Sequence, residues 1–108
     1  MTIPKNKYGL NEAEMSEFNL YFKNTVNLKE VWIFGSRYRG DFKNSSDIDL
    51  CLILEEEDEP IEWVYLFNMF EESIEIWNKV DIVVHNKIKN TEFKSQIDAK
   101  HEVFWGGL

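Results

Sequence analysis

The stretch that decides the fold is GSRYRGDFKNSSDIDL, residues 35–50. It follows the apolar run VWIF (31–34) and leads into LCLIL, so one hydrophobic strand ends on Gly35-Ser36 and the next opens with two aspartates. A strand that only builds a core gains nothing from two like charges on one face. Side chains along a strand alternate between faces, which puts Asp47 and Asp49 on the same side, about 7 Å apart. Ile48, Leu50 and Leu52 take the other side and anchor the strand.

Two carboxylates so placed repel unless a cation sits between them, and a divalent ion that prefers oxygen ligands, as Mg²⁺ does, resolves the conflict. Asp81 interrupts a further apolar run, KVDIVV (79–84), where an unpaired charge is expensive. If that third strand lies beside the second, Asp47, Asp49 and Asp81 converge on one metal site. Glycine at 35 lets the backbone approach a phosphate closely, and the N–H groups and Ser36 hydroxyl can donate to its oxygens. Arg37, Arg39 and Lys43 then supply positive charge that the rest of the chain lacks. Taken singly, each part has a plain reading: Asp-x-Asp as a turn or cap, Gly-Ser as nothing in particular, a basic residue as solvated surface. Their combination on neighbouring strands is what carries specificity.

Working outward, Asn11 and Glu14 resemble a capping box, and Met15, Phe18, Tyr21 and Phe22 follow at helical spacing, predicting a helix over 11–24. VWIF reads as a buried strand and 36–46 as one helical turn and a loop. DIDLCLIL (47–54) is the second strand, with both aspartates at its start. EEEDEP (55–60) reads as a solvated loop near a helix N-terminus. Over 61–77, Trp63, Leu66, Phe67, Phe70, Ile74 and Trp77 fall on one side at helical spacing and are read as core. A third strand at 79–84, a short helix from Thr91 to about Lys100 and a last strand at EVFW complete an α/β fold, a mixed β-sheet flanked by helices. His85 and His101 read as surface or loop histidines rather than catalytic bases.

The 108 residues fit a single domain over 1–108, and 44% hydrophobic content with 15% aromatics is a globular composition despite 30% charged residues. The net charge of −8 repels nucleic acid and anionic membranes, so neither is expected as a direct partner. A small anion such as a nucleotide can still bind where basic groups and a cation offset that field. The lone Cys51 excludes an internal disulfide and a multi-cysteine zinc site, and its apolar setting fits an inert thiol. The N-terminus lacks the apolar core of a signal peptide, and no run approaches the roughly 18 apolar residues of a membrane span. The expected location is cytoplasmic. Four Trp and eight Phe are many for a chain of this size, so some aromatics are expected at the surface, Trp105 in WGGL among them.

Gly35-Ser36, ten intervening residues and Asp47-x-Asp49 resemble the signature of the DNA polymerase β-like nucleotidyltransferases. The fuller GSRYRGDFKNSSDIDL resembles the minimal nucleotidyltransferase (MNT) group, with KVDIVV in the place of its third aspartate. The resemblance covers essentially the whole chain. Tyr38 departs from it, standing where these proteins commonly carry a small residue; a phenol there narrows the nucleotide pocket or stacks on a base, and leaves nucleotide preference open.

The resemblance implies a polymerase β-like nucleotidyltransferase fold and catalysis by Asp47, Asp49 and Asp81, which would hold two Mg²⁺ ions on a nucleoside triphosphate, ATP. It also implies nucleotide contacts from Gly35, Ser36, Arg39 and Ser46, with Asp81 helping to deprotonate the attacking hydroxyl. Members of the minimal group typically pair with a HEPN-domain toxin, so the implied role is an antitoxin that transfers AMP to a tyrosine of that toxin in a heteromeric complex. The acidic surface favours a partner with a basic face. Two rivals stand beside this reading: an antitoxin that neutralises its partner by contact alone, and a small-molecule nucleotidyltransferase whose acceptor domain lies on another chain.

Overall fold

The computed structural model describes residues 3–58 and 63–107. In chain order these form α1 (Glu12–Lys23), β1 (Leu28–Phe34), a short α2 (Gly35–Arg39), β2 (Ile48–Leu54), α3 (Trp63–Glu72), β3 (Val80–Val84), a 3₁₀ turn (His85–Lys87), α4 (Thr91–Ala99) and β4 (Glu102–Gly106). Helix α1 starts where its cap dictates. The Asn11 side chain accepts from the Glu14 N–H at 2.8 Å, and Glu14 Oε1 accepts from the Asn11 N–H at 3.1 Å. Two otherwise orphaned donors are thereby satisfied.

The sheet runs β3-β2-β1-β4. β1 pairs antiparallel with both β2 and β4, whereas β2 and β3 are parallel, with α3 as the crossover between them. Strand alternation divides the residues as the pattern predicts. Val31, Ile33, Ile48, Leu50 and Leu52 are completely buried beneath α1 and α3. On that side Phe18, Tyr21 and Phe22 of α1 meet Phe70 of α3 with ring centroids 5.4–6.1 Å apart. Trp32, Phe34 and Cys51 take the opposite face, where Phe93 of α4 packs edge-on against Phe34 at 5.9 Å. Among the described residues, no helix is long and apolar enough to cross a membrane.

Two expectations are corrected here. The core stripe predicted over 61–77 holds only at Leu66 and Phe70, because α3 ends at Glu72 and the helical period ends with it. Ser73 Oγ accepts from the Ile76 N–H at 3.0 Å, and the turn sends Ile76 into the core while Ile74 and Trp77 are left 83% and 88% exposed. Phe67 also stands half out of the core. The side chain of Trp63, and residues 59–62 at the end of the acidic run, lie outside the described residues; Glu55 to Asp58 are exposed and non-helical, as expected. The second correction is Trp105. A shift in the β1–β4 register between Val31 and Trp32 pairs Val31 with Trp105 and Trp32 with Val103, leaving Phe104 as the extra residue. Phe104 and Trp105 then both reach α1, and Trp105 packs at 5.8 Å against Phe22. Among the described residues the exposed tryptophan is Trp77 instead.

Candidate active site

The site forms where β1 ends and β2 and β3 begin. Phe34 is the register partner of Asp49, so the chain leaves β1 beside that carboxylate. Gly35 turns it there with φ +73°, in the left-handed region, and a Cβ at this position would lie 2.3 Å from Asp49 Oδ2. Glycine is therefore required twice, by the backbone and by the carboxylate lying against it. On its other side Asp49 is paired with Asp81 in the parallel ladder, on strands about 4.8 Å apart. Asp47 is exposed and precedes the first residue of β2, a small departure from its predicted place inside the strand.

The electrostatics record this crowding. The Asp49 carboxyl is pushed above its ordinary range, first by burial, then by the charges of Asp81 and Asp47, with Arg39 and Arg37 partly offsetting them. Lys79, missed in the sequence reading, provides a nearby cation: its Nζ lies 3.3 Å from Asp81 Oδ1. That contact, with the field of Asp81, Asp47 and Asp49, raises the Lys79 pKa. The signal was available, since Lys79 stands two residues before Asp81 and shares its face. Among the described residues, no three His, Cys, Asp or Glu side chains are arranged to ligate one ion together. The donor chemistry nonetheless fits a hard divalent cation: three carboxylates share one field, and the nearby arginines offset only part of the charge around Asp49. The partner of Asp81 is a largely exposed lysine.

The basic residues of the turn divide unequally. Arg37 lends its charge to Asp49 as expected, but it is only 2% exposed and its hydrogen bonds serve the backbone. Its guanidinium donates to the carbonyls of Tyr8 at 2.8 Å, Ser46 at 2.9 Å and Asn44 at 3.4 Å, and stacks near the Phe42 ring. It thus ties the 41–46 loop to the N-terminal segment. Arg39 is exposed and pairs with Asp41 at 3.2 Å. Ser46 Oγ accepts from the Lys43 N–H at 2.8 Å, closing the turn that delivers Asp47, and Asn78 Nδ2 donates to the Asn44 carbonyl at 2.6 Å. Ser36 is the second residue of the short helix, directly after Gly35.

Beside Gly35, between α2 and α4, lies a cavity of about 580 Å³ whose walls include Phe34, Tyr38, Arg39, Phe93 and Gln96. The α4 contribution was not foreseen. Both histidines lie elsewhere. His85 Nε2 pairs with Asp98 Oδ1 at 2.6 Å. His101 stacks on Trp32 at 3.7 Å and donates from Nδ1 to the Ile97 carbonyl. Burial pushes the Cys51 thiol up to about 12, consistent with an inert core residue.

The fold is a mixed sheet that sets a Gly-Ser turn against paired strand aspartates. The chain belongs to the Polymerase beta, Nucleotidyltransferase family, whose model matches residues 17–106. Among solved structures it is similar to a toxin-antitoxin with AMP-PNP, at 18% identity and TM-score 0.66 over 86% of this chain and 73% of that one. It is also similar to a mutant of the MntA-HpeT toxin-antitoxin in which two aspartates are replaced by glutamate, at 18% identity and TM-score 0.64 over 91% and 75%. A Sulfolobus solfataricus protein assigned as a nucleotidyltransferase aligns at 27% identity and TM-score 0.51 over 85% and 76%. Among curated proteins no sequence relative matches.

Proposed function

We propose that this nucleotidyltransferase is a cytoplasmic antitoxin that, with Mg²⁺, transfers AMP from ATP to a tyrosine hydroxyl of a HEPN-domain toxin. The observation that carries the reading is the placement of Asp49, against Gly35 on one side and opposite Asp81 on the other. Support for a nucleotide comes from the similar toxin-antitoxin with AMP-PNP. In the mutant MntA-HpeT complex, the two altered aspartates stand two positions apart, as Asp47 and Asp49 do here.

Asp47, Asp49 and Asp81 would hold two Mg²⁺ ions, which when bound offset triphosphate charge and favour displacement at the α-phosphorus. The remaining work falls to the chain itself. Gly35 leaves the backbone open to a phosphate, and the Ser36 hydroxyl donates to its oxygen. Arg39 exchanges its exposed contact with Asp41 for the triphosphate, and Ser46 holds the turn that aims Asp47. The cavity between α2 and α4 takes the nucleoside, with Tyr38 and Phe93 as aromatic walls. Asp81, released by Lys79, accepts the proton of the acceptor hydroxyl. That oxygen bonds to the α-phosphorus, and the bond to pyrophosphate breaks.

A contact-only antitoxin is the second reading, favoured by the Lys79–Asp81 ion pair, which blocks Asp81 as a base while it persists. Mass spectrometry of the toxin after incubation with ATP, Mg²⁺ and this chain decides between them. Addition of one or more AMP groups, absent with Asp49→Asn, supports the transferase; a toxin neutralised without added mass supports contact alone.

A further inference from the structure

Nucleotidyl transfer needs two subsites, and two concavities lie near the ends of the strands that carry the carboxylates, neither of them lined by the carboxylates themselves. The one on the β1 side touches Gly35 and Arg39 and suits a polyanion. The other, on the β3 side, is a groove of about 540 Å³ lined by Phe67, Phe70, Glu71, Ile74, Trp77 and Lys79. Its character is the reverse of the first. Ile74 and Trp77 present nearly their whole side chains to solvent, and the Trp77 indole N–H is already taken by the Ile74 carbonyl, which leaves the ring as an apolar surface. Glu71 lines it, and Glu72 and Glu75, exposed like Glu71, stand beside its lining residues in the chain. Large apolar groups left outside a core mark contact surfaces. The groove is also joined to the site, because Lys79 lines it and at the same time contacts Asp81.

We infer that this groove docks the acceptor: an apolar segment of the partner protein, flanked by basic residues, that brings its hydroxyl to Asp81. The inference rests on the transferase reading above and adds the surface and chemistry by which the acceptor is chosen. The acidic rim selects a basic flank, and the net charge of −8 acts in the same direction. Trp77, the most exposed large apolar side chain lining the groove, is the anchor.

The test uses the full chain and two short fluorescein-labelled peptides. One carries Leu, Phe and a single Tyr between Lys and Arg residues; the other has Glu in place of every basic residue. Fluorescence anisotropy should show the basic peptide binding at least about tenfold tighter, and Trp77→Ala combined with Ile74→Ser should weaken it by about tenfold. Glu71→Lys with Glu75→Lys should reverse the preference. Stabilisation by Mg²⁺ with a non-hydrolysable ATP analogue should be equal in all these variants, which shows that they are folded and keep the nucleotide side. Equal binding of the two peptides, or unchanged binding in the Trp77 variant, overturns the inference. So does a wild-type dimer that dissociates on Trp77→Ala, which would give the face to a second copy. Peptide binding needs no nucleotide, so a chain that binds but never transfers AMP removes the transferase reading and not the docking surface.

Discussion

Asp49 and Asp81 stand opposite each other in the parallel β2–β3 ladder, and the same Asp49 carboxylate lies against Gly35. One residue thus joins the Gly35 turn to Asp81. Removing its charge should abolish transfer without unfolding the chain. The folded-state pKa of Asp49 is raised, so its ionisation opposes folding, and stability falls as pH rises from the ordinary carboxylate range through that raised value. Asp49→Asn lacks this loss. Its melting temperature should therefore exceed that of the wild type by a few degrees at neutral pH, with the gap closing on acidification. Thermal melts across that range check it.

Metal binding has its own signature. Mg²⁺ should raise the melting temperature of the wild type and leave the Asp47→Asn, Asp49→Asn double variant unmoved, because the carboxylate field that attracts the ion is gone. Differential scanning fluorimetry with and without Mg²⁺ measures this, and equal stabilisation of both proteins would remove these residues from the metal site.

Gly35→Ala should cost about 1–2 kcal/mol from the left-handed backbone alone. The new Cβ must also displace Asp49 Oδ2, so transfer should fall much further than the stability loss explains. Urea titration beside label transfer separates the two effects.

Arg37 and Arg39, two residues apart, should behave oppositely. Arg37→Ala leaves the Tyr8 and Ser46 carbonyls without a charged donor and should destabilise by roughly 2–4 kcal/mol. Arg39→Ala, on the surface, should leave urea midpoints within error and weaken nucleotide binding instead.

Much of this arrangement was legible in the sequence. Alternation in DIDLCLIL placed Ile48, Leu50 and Leu52 in the core, because strand period and burial agree there, and the strand at KVDIVV brought Asp81 opposite Asp49. The Asn11–Glu14 cap was equally local. What escaped depended on distant partners. Nothing near Arg37 signals that the 41–46 loop folds over it. No glycine or proline announces the end of α3 at Glu72, which is why Ile74 and Trp77 read as core. The register shift that turns Trp105 toward Phe22 is a property of the β1–β4 pairing. The cavity beside Gly35 needs α4, which comes more than forty residues after Asp49.

The most direct measurement follows radiolabel from ATP to the toxin in the presence of Mg²⁺. Label at the α-phosphate should remain on the toxin, label at the γ-phosphate should leave with pyrophosphate, and Asp49→Asn should transfer neither. Retention of the γ-label, or no label from either position on a toxin that is still neutralised, would contradict AMP transfer by this site.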